Sequence, residues 1–157
     1  MTIDFNQLAG FKDEARVGDD VRKAETDFRY LCSQSNFFVS NNLGLLSMTK
    51  SGEKHGDALC LPFKTSDKML RINKSQVKLD DPNMYVAIVC YIDGKPVDVL
   101  LINSAKFAES MEAKLFNFNK FITFDKKTEQ FEVHIRNLND AAVQKFAFGE
   151  VFGHLQG

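Results

Sequence analysis

The stretch GDALCLPFKTS, residues 56–66, is a mainly apolar run that carries a single lysine near its end. An apolar run of this length, bounded by glycine and by polar residues, is typical of a β-strand. Pro62 lies inside the run and has no backbone N–H to donate. We therefore expect the strand to lie at a sheet edge, to carry a bulge, or to stop pairing near Pro62. Lys64 then stands at the far end of the strand.

Two further strands are predicted before this one. Residues 37–40 and 43–49 have strand character, and Asn41-Asn42 between them is typical of a turn. Residues 50–56 form a polar tip with two glycines, which suits a hairpin connection. The three consecutive strands are therefore expected to form one antiparallel unit.

A helix is predicted before these strands, over about residues 19–34. Apolar residues recur there at helical spacing, and Asp19 or Asp20 can cap its first turn. At 100° per residue, Glu25 falls about 20° from Cys32, at the edge of the apolar stripe. Glu25 is therefore either a boundary residue whose carboxylate reaches water or a functional carboxylate. Residues 1–17 are expected to form an N-terminal arm or a short helix.

Residues 65–80 form the most basic window of the chain. A short strand is predicted at 69–72 and a helical turn at 73–79. The cations of this segment, with the lysine before it, are Lys64, Lys68, Arg71, Lys74 and Lys78, against Asp67 and Asp80. Such a patch can bind phosphates. It can equally be a solvated face, because no aromatic residue interleaves the charges.

The second half of the chain contains two predicted hairpins. Residues 84–91 are almost continuously apolar, as in a central strand, and an Asp93-Gly94 turn leads back into residues 97–102. Residues 116–124 and 130–135 alternate in polarity and form the second hairpin.

Two helices complete the prediction. Ser104 is expected to cap a helix that carries Phe107, Ala108, Met111 and Leu115 on one side. A terminal helix is predicted from Asn137 to about residue 155, with Asp140 in its first turn. That helix is apolar on more than one side, so it is either deeply packed or buried partly by a second copy of the protein.

Length and composition indicate one globular domain, and the order of the predicted helices and strands indicates the α+β class. The chain has 157 residues and a net charge of −1, which excludes nucleic-acid binding over the whole surface and leaves room for a local patch. Three cysteines, an odd number at wide spacing, predict free thiols and a cytoplasmic location. No signal peptide or membrane span is expected.

The common catalytic motifs are absent from the sequence. It contains no phosphate-binding loop, no dinucleotide-binding glycine motif, no paired CxxC and no HExxH. His55, His134 and His154 are not spaced for a shared metal ion, so no metal site is predicted from them.

Three segments carry a resemblance to a known family. They are PFKTS at 62–66, MYVAIV at 84–89 and LINSAKF at 101–107, in the order helix, three strands, basic segment, strand. In this respect residues 18–108 resemble the PD-(D/E)XK nuclease-like superfamily, in particular bacterial endonuclease-like domains. The resemblance implies a restriction-endonuclease-like fold, in which a central mixed sheet is flanked by helices in a three-layer arrangement.

The resemblance also implies a site. In active relatives, acids on the second strand and two residues before the lysine bind a divalent metal such as Mg²⁺, which activates water. By position, Lys64 corresponds to the lysine of the family motif, and Glu25 corresponds to a glutamate that the first helix of active relatives often carries. The two metal-binding acids fall on Leu46 and Pro62, which cannot ligate a metal. Asp57, or Glu53 in the tip, is the candidate to replace them.

The predicted function is accordingly a non-catalytic endonuclease-like domain with no cofactor. It would contact nucleic acid, with DNA as the expected partner, through Lys64, Lys68, Arg71 and Lys74. One alternative is a protein-interaction or small-ligand module that dimerises through the C-terminal helix. The other is a Mg²⁺-dependent endonuclease with rearranged acids, in which Lys64, Glu25 and Asp57 are catalytic.

Overall fold

The computed structural model describes residues 12–42, 44–112 and 121–152, with the backbone alone for residues 12–18. These residues form two sheets and four α-helices. In chain order the elements are α1 (Lys12–Gln34), β1 (Phe38–Asn42), β2 (Leu45–Lys50), β3 (Glu53–Lys64), β4 (Met69–Asn73), β5 (Met84–Ile92), β6 (Lys95–Asn103), α2 (Ser104–Met111), β7 (Ile122–Asp125), β8 (Gln130–His134), α3 (Ala141–Gln144) and α4 (Phe148–Val151).

The larger sheet has the order β1-β2-β3-β5-β6, and only the β3–β5 pair is parallel. The α+β class and the antiparallel unit of the first three strands are therefore confirmed. The hairpin into β3 turns at Ser51-Gly52, a tighter connection than the predicted tip of residues 50–56. Both turn residues have positive φ, and so do Asp93 and Gly94 in the predicted β5–β6 turn, as two-residue hairpins require.

Strand β3 can contain Pro62 because one of its two neighbouring strands pairs with only the first part of β3. Pairing with β2 stops at Ala58, whereas pairing with β5 continues to Lys64. The Asp57 N–H donates to Asn83 beside β5, so residues an odd number further along β3 direct their backbone away from β5. Pro62 is one of these residues. Its missing N–H therefore lies on the side of β3 where no strand pairs with this part of β3, and no ladder hydrogen bond is lost. The end of pairing near Pro62 is thus the correct alternative.

The sheet is covered differently on its two faces. Helix α1 covers one face, where Ala24, Phe28 and Cys32 pack with buried residues of β2 and β3. The three-stranded sheet β4-β8-β7 covers the other face together with α2. The expectation of helices on both faces is therefore confirmed, with α1 on one face and α2 on the other, but the second sheet beside α2 was not predicted. Strand β4 is confirmed, but it belongs to this second sheet because its hydrogen-bonding partner is β8.

Several element boundaries differ from the prediction. Helix α1 begins at Lys12, so part of the expected N-terminal arm is helical, while residues 1–11 lie outside the described part. The α2 cap is Asn103, whose side chain accepts from the Ala105 N–H. Ser104 instead donates its hydroxyl to the Asp81 carbonyl at 2.6 Å.

The helical turn predicted within the basic segment is shorter in the structure. The turn predicted at 73–79 is a 3₁₀ turn at Lys74–Gln76. Strands β7 and β8 confirm the second hairpin. Residues 116–120 of its first predicted strand lie outside the described ranges, and so does Leu115 of the helix before it.

The predicted C-terminal helix is wrong over its described part. Two short helices, α3 and α4, take its place, and Asp140 caps the first of them instead of Asn137. Between them, Phe146 and Ala147 turn their backbone toward β6, where the Leu101 N–H donates to the Phe146 carbonyl at 2.7 Å. A partner outside the segment therefore competes with helical pairing. Residues 153–155 are not described.

Among the described residues, no helix is both long enough and apolar enough to cross a bilayer.

Candidate functional site

An open cleft of about 900 Å³ lies beyond the carboxyl ends of the parallel strands β3 and β5. In open sheets that contain parallel strands, ligands commonly bind outside these carboxyl ends. Helix α1, the 3₁₀ turn at Thr65–Asp67 and the β5–β6 turn supply the walls. Charged or hydroxyl-bearing residues on these walls include Asp20, Lys23, Lys64, Asp67, Tyr91 and Asp93.

Lys64 lies where the cleft meets the end of β3. It is exposed, and within the described ranges its ammonium group forms no ion pair. The chain turns away immediately after it through Thr65 and Ser66, which also line the cleft. The structure therefore leaves the Lys64 charge available to a ligand.

Lys23, on the other wall, already has partners. Its Nζ lies 3.3 Å from Asp27 and 3.2 Å from the Gly94 carbonyl, and 4.3 Å from the centre of the Tyr91 ring. The Tyr91 hydroxyl donates to Asp27 at 2.6 Å. Burial, the hydrogen bond to Asp27 and the Asp27 charge raise the pKa of the Tyr91 hydroxyl above its ordinary value. This cluster forms a wall of the cleft and leaves little of the Lys23 charge for an incoming ligand.

Three carboxylates also line the cleft, namely Asp20, Asp67 and Asp93. They come from three different segments of the chain. In the part of the chain that the structure describes, no three His, Cys, Asp or Glu side chains are grouped so that they could hold a metal ion. The three acids therefore lower the electrostatic potential around Lys64 without forming a metal centre.

The positions that the resemblance connects all lie on the helix-covered side of the sheet. Leu46 is fully buried there. Cys60 is buried on the same face, and since strand side chains alternate, Pro62 and Lys64 follow on it. Glu25 is half-buried on α1, and its charge adds to burial in raising the pKa of the Cys60 thiol.

All three cysteines are free and buried, as the sequence predicts for free thiols. Burial raises the pKa of the Cys32 thiol to about 12 and that of the Cys90 thiol to about 12, and it raises the pKa of the Cys60 thiol as well. Thiols of this kind are poor nucleophiles at neutral pH. They pack as small apolar side chains and offer no covalent chemistry.

Asp57 is not brought near Lys64. The two lie seven residues apart on β3, a separation of about 23 Å, and on opposite faces of the sheet. Asp57 instead accepts a hydrogen bond from Ser47 at 2.5 Å and forms an ion pair with Lys54 at 2.9 Å. Although burial by itself raises the pKa of the Asp57 carboxyl, hydrogen bonds from Ser47, Lys54 and Asn42 and the Lys54 charge hold it below its ordinary value.

Glu53, the other acid proposed as a replacement, is exposed at the beginning of β3. It is further from Lys64 than Asp57 is. Neither replacement acid therefore stands beside the lysine.

The basic segment extends along the second sheet, away from Lys64. Lys68 is exposed just before β4, and Arg71 is exposed on it, 3.4 Å from Glu132 of β8. Lys74 is half-buried and lines a second, shallow cleft of about 640 Å³ together with Lys78. Lys64 and Lys74 therefore belong to different clefts, and the segment forms an extended row of cations rather than one pocket.

Sequence reasoning identified Lys64 but missed Asp20, Lys23, Tyr91 and Asp93 as its neighbours in the cleft. These residues come from α1 and the β5–β6 hairpin, which approach Lys64 only because β3 pairs with β5 in parallel. A prediction of that pairing would have indicated the site, because the carboxyl ends of parallel strands meet at one edge of a sheet.

Comparisons of the chain with models of protein families, with curated proteins and with solved structures find no match.

Proposed function

We propose that this chain is an endonuclease-like domain without catalytic activity, which contacts nucleic acid weakly through the row Lys64, Lys68, Arg71 and Lys74. One observation carries the proposal. In the described part of the chain, Lys64, Lys68 and Lys74 form no ion pair, although they lie within eleven residues of one another. Ammonium groups without a carboxylate partner remain available to phosphates.

Two features support the endonuclease-like scaffold. The first is the topology, in which a helix packs across three antiparallel strands and a further strand joins the third in parallel. The second is the common face shared by Leu46, Pro62 and Lys64, beneath the helix that carries Glu25. The residues aligned by the resemblance thus occupy one region of the fold.

The side chains in that region support a non-catalytic role. Mg²⁺ is bound through oxygen ligands. Leu46 has none in its side chain and is fully buried, and Pro62 has none either. Asp57 lies at the opposite end of β3 and on the other face. The residues present therefore do not fit the metal that the family route requires.

The binding itself is expected to be electrostatic. Each lysine or arginine that neutralises a phosphate of duplex DNA releases condensed counterions. Each such contact makes the slope of log K against log salt more negative by about 0.9. Three unpaired lysines predict a slope of about −3. Arg71 is expected to contribute less, because Glu132 already lies at 3.4 Å. The contribution of Lys64 to phosphate binding is also reduced, because the three acids of its cleft lower the electrostatic potential around it.

Fluorescence anisotropy with a labelled duplex at 20–200 mM salt, concentrations in the range where this effect is large, tests the proposal. Lys68→Ala and Lys74→Ala should each make the slope of log K against log salt less negative by about 0.9. Lys106→Ala is the matched control, because Lys106 lies on α2 and is paired with Glu109. Absence of binding at the lowest salt would overturn the proposal. Equal losses for Lys68→Ala and Lys106→Ala would also overturn it.

A further inference from the structure

The two edges of the five-stranded sheet are protected differently. At the β6 edge, the Leu101 N–H donates to the Phe146 carbonyl at 2.7 Å, and Leu100 forms a bridge with Ala147. At the β1 edge, no described segment pairs on the outer side. An unpaired strand edge is a template on which another strand can form hydrogen bonds.

The direction of each backbone group can be followed across the sheet. The Asp57 N–H donates to Asn83, so the Asp57 backbone faces β5. Backbone groups alternate in direction along a strand, so Ala58 faces β2 and exchanges hydrogen bonds with its partner Leu46. Ser47, the next residue on β2, therefore faces β1.

The same alternation fixes the outer edge. Ser47 pairs with Ser40, so Ser40 faces inward and its neighbours Val39 and Asn41 direct their N–H and C=O groups outward. An independent contact agrees with this direction, because Arg29 of α1 donates to the Val39 carbonyl at 3.1 Å. Asn41 therefore presents its N–H and C=O to a further strand, and Val39 presents its N–H, while the Val39 carbonyl already accepts from Arg29.

The sequence of strand β1 lacks the charged residues and prolines that often prevent edge pairing. Its sequence, FVSNN, contains no lysine, glutamate or proline, and its pairing with β2 shows no bulge. Phe38 is 69% exposed on its surface, and Tyr30 on the neighbouring helix is 65% exposed. An incoming strand would therefore find one exposed aromatic ring, that of Phe38, on β1 itself.

Arg29 adds a charge to this edge. It is half-buried, and within the described ranges no carboxylate pairs with it. A guanidinium group has five N–H donors, and the Val39 carbonyl takes one of them. Its free donors can bind a carboxylate, which would form a charge-assisted hydrogen bond.

We infer that the β1 edge binds an extended segment of a partner protein, added as a sixth strand and carrying an acidic side chain opposite Arg29. Val39 and Asn41 would supply the main-chain hydrogen bonds, and Phe38 would pack against an apolar side chain. The β1 sequence itself contains no acidic residue to place opposite Arg29, so charge complementarity favours a different partner over the pairing of two β1 strands.

Fluorescence polarisation of the full chain with labelled octapeptides tests the inference. The probes alternate valine and threonine and carry one glutamate, placed at a different position in each probe. At least one probe should bind saturably, and Arg29→Gln should weaken its binding about tenfold. Replacing the probe glutamate by glutamine should cost the wild type a similar factor and the Arg29→Gln variant little, as a double-mutant cycle for a direct contact requires.

Asn41→Pro tests the backbone contact, because it removes an outward N–H that β2 does not use. Asn41→Ala keeps that N–H and is the matched control. The proline variant should lose binding while the alanine variant binds as the wild type does, with urea midpoints reported for both.

Three results would overturn the inference. One is no saturable binding of any probe at concentrations up to about 1 mM. Another is equal binding by wild type, Arg29→Gln and Asn41→Pro. The third is a dimer in sedimentation experiments without peptide that Asn41→Pro abolishes, which would assign the edge to a second copy of the chain.

Discussion

The two ends of β3 carry opposite charges in opposite environments. At the first end, Asp57 is only 9% exposed, and Ser47, Lys54 and Asn42 satisfy its carboxylate. At the other end, Lys64 is exposed at the mouth of a cleft and forms no ion pair with any described residue. One strand therefore separates a charge that stabilises the fold from a charge that is available to a ligand.

This difference gives a physical basis for assigning roles to charged residues. A buried carboxylate with several donors lowers the free energy of the folded state, and its removal leaves those donors unpaired. An exposed ammonium group contributes little to folding. Mutations at the Asp57 end should therefore change stability, whereas mutations at the Lys64 end should change binding.

The largest expected effect concerns Gly56, beside Asp57. Its φ is +152°, and a Cβ there would lie 2.7 Å from the Asn83 carbonyl oxygen and 2.8 Å from the Tyr85 ring. Gly56→Ala should lower the free energy of unfolding by about 3 kcal/mol, because backbone and ring must both move. Gly149→Ala, where a Cβ meets nothing, is the control. Urea denaturation measures both, and equal stability of the two variants would contradict the description of this end of β3.

Asp57→Ala should cost about 2 kcal/mol of stability, because Ser47 and Lys54 lose their acceptor in a poorly hydrated position. The matched variant is Asp67→Ala, which removes an exposed acid near the other end of the strand and should change stability by less than about 0.5 kcal/mol. Thermal or urea unfolding of both variants provides the comparison. Similar losses for the two would remove the distinction between the ends.

The pH dependence gives a smaller effect of defined sign. The folded-state pKa of the Asp57 carboxyl is lowered, so the stabilisation is complete above the unfolded-state pKa of about 3.9 and is lost as pH falls through the folded-state value. The stability difference between wild type and Asp57→Asn should therefore be constant from pH 7 to about 5 and shrink below about pH 4. A difference that grows on acidification would show that the carboxylate is destabilising.

Local signals were sufficient for part of the fold. The β5–β6 hairpin was predictable because a continuous β-branched run precedes an Asp-Gly turn. The C-terminal segment was not, because Phe146 and Ala147 are drawn to β6 by contacts distant in sequence. Its described aromatic residues, Phe146, Phe148 and Phe152, are buried within the chain itself, which fits the deeply packed alternative for this segment, while a dimer through it stays a prediction.

The candidate site was predictable only through single residues. Lys64 stands out because it ends an apolar strand, but its neighbours depend on a parallel pairing that no local pattern encodes. The sequence also placed Asp57 and Lys64 on one strand without showing that they face opposite sides, because a bulge near Pro62, which would shift the alternation by one residue, was among the alternatives. Uninterrupted pairing of β3 with β5 from Asp57 to Lys64 keeps the alternation regular and separates the two roles.

The most direct test of the central claim is the salt dependence of duplex binding by a triple variant, Lys64→Ala, Lys68→Ala and Lys74→Ala, with urea unfolding measured in parallel. We expect the slope of log K against log salt to change from about −3 to between about −1 and zero, because Arg71 alone of the row remains. The free energy of unfolding should change by less than about 1 kcal/mol in total. An unchanged slope, or a loss of binding that merely accompanies unfolding, would contradict the claim that these ammonium groups serve a ligand rather than the fold.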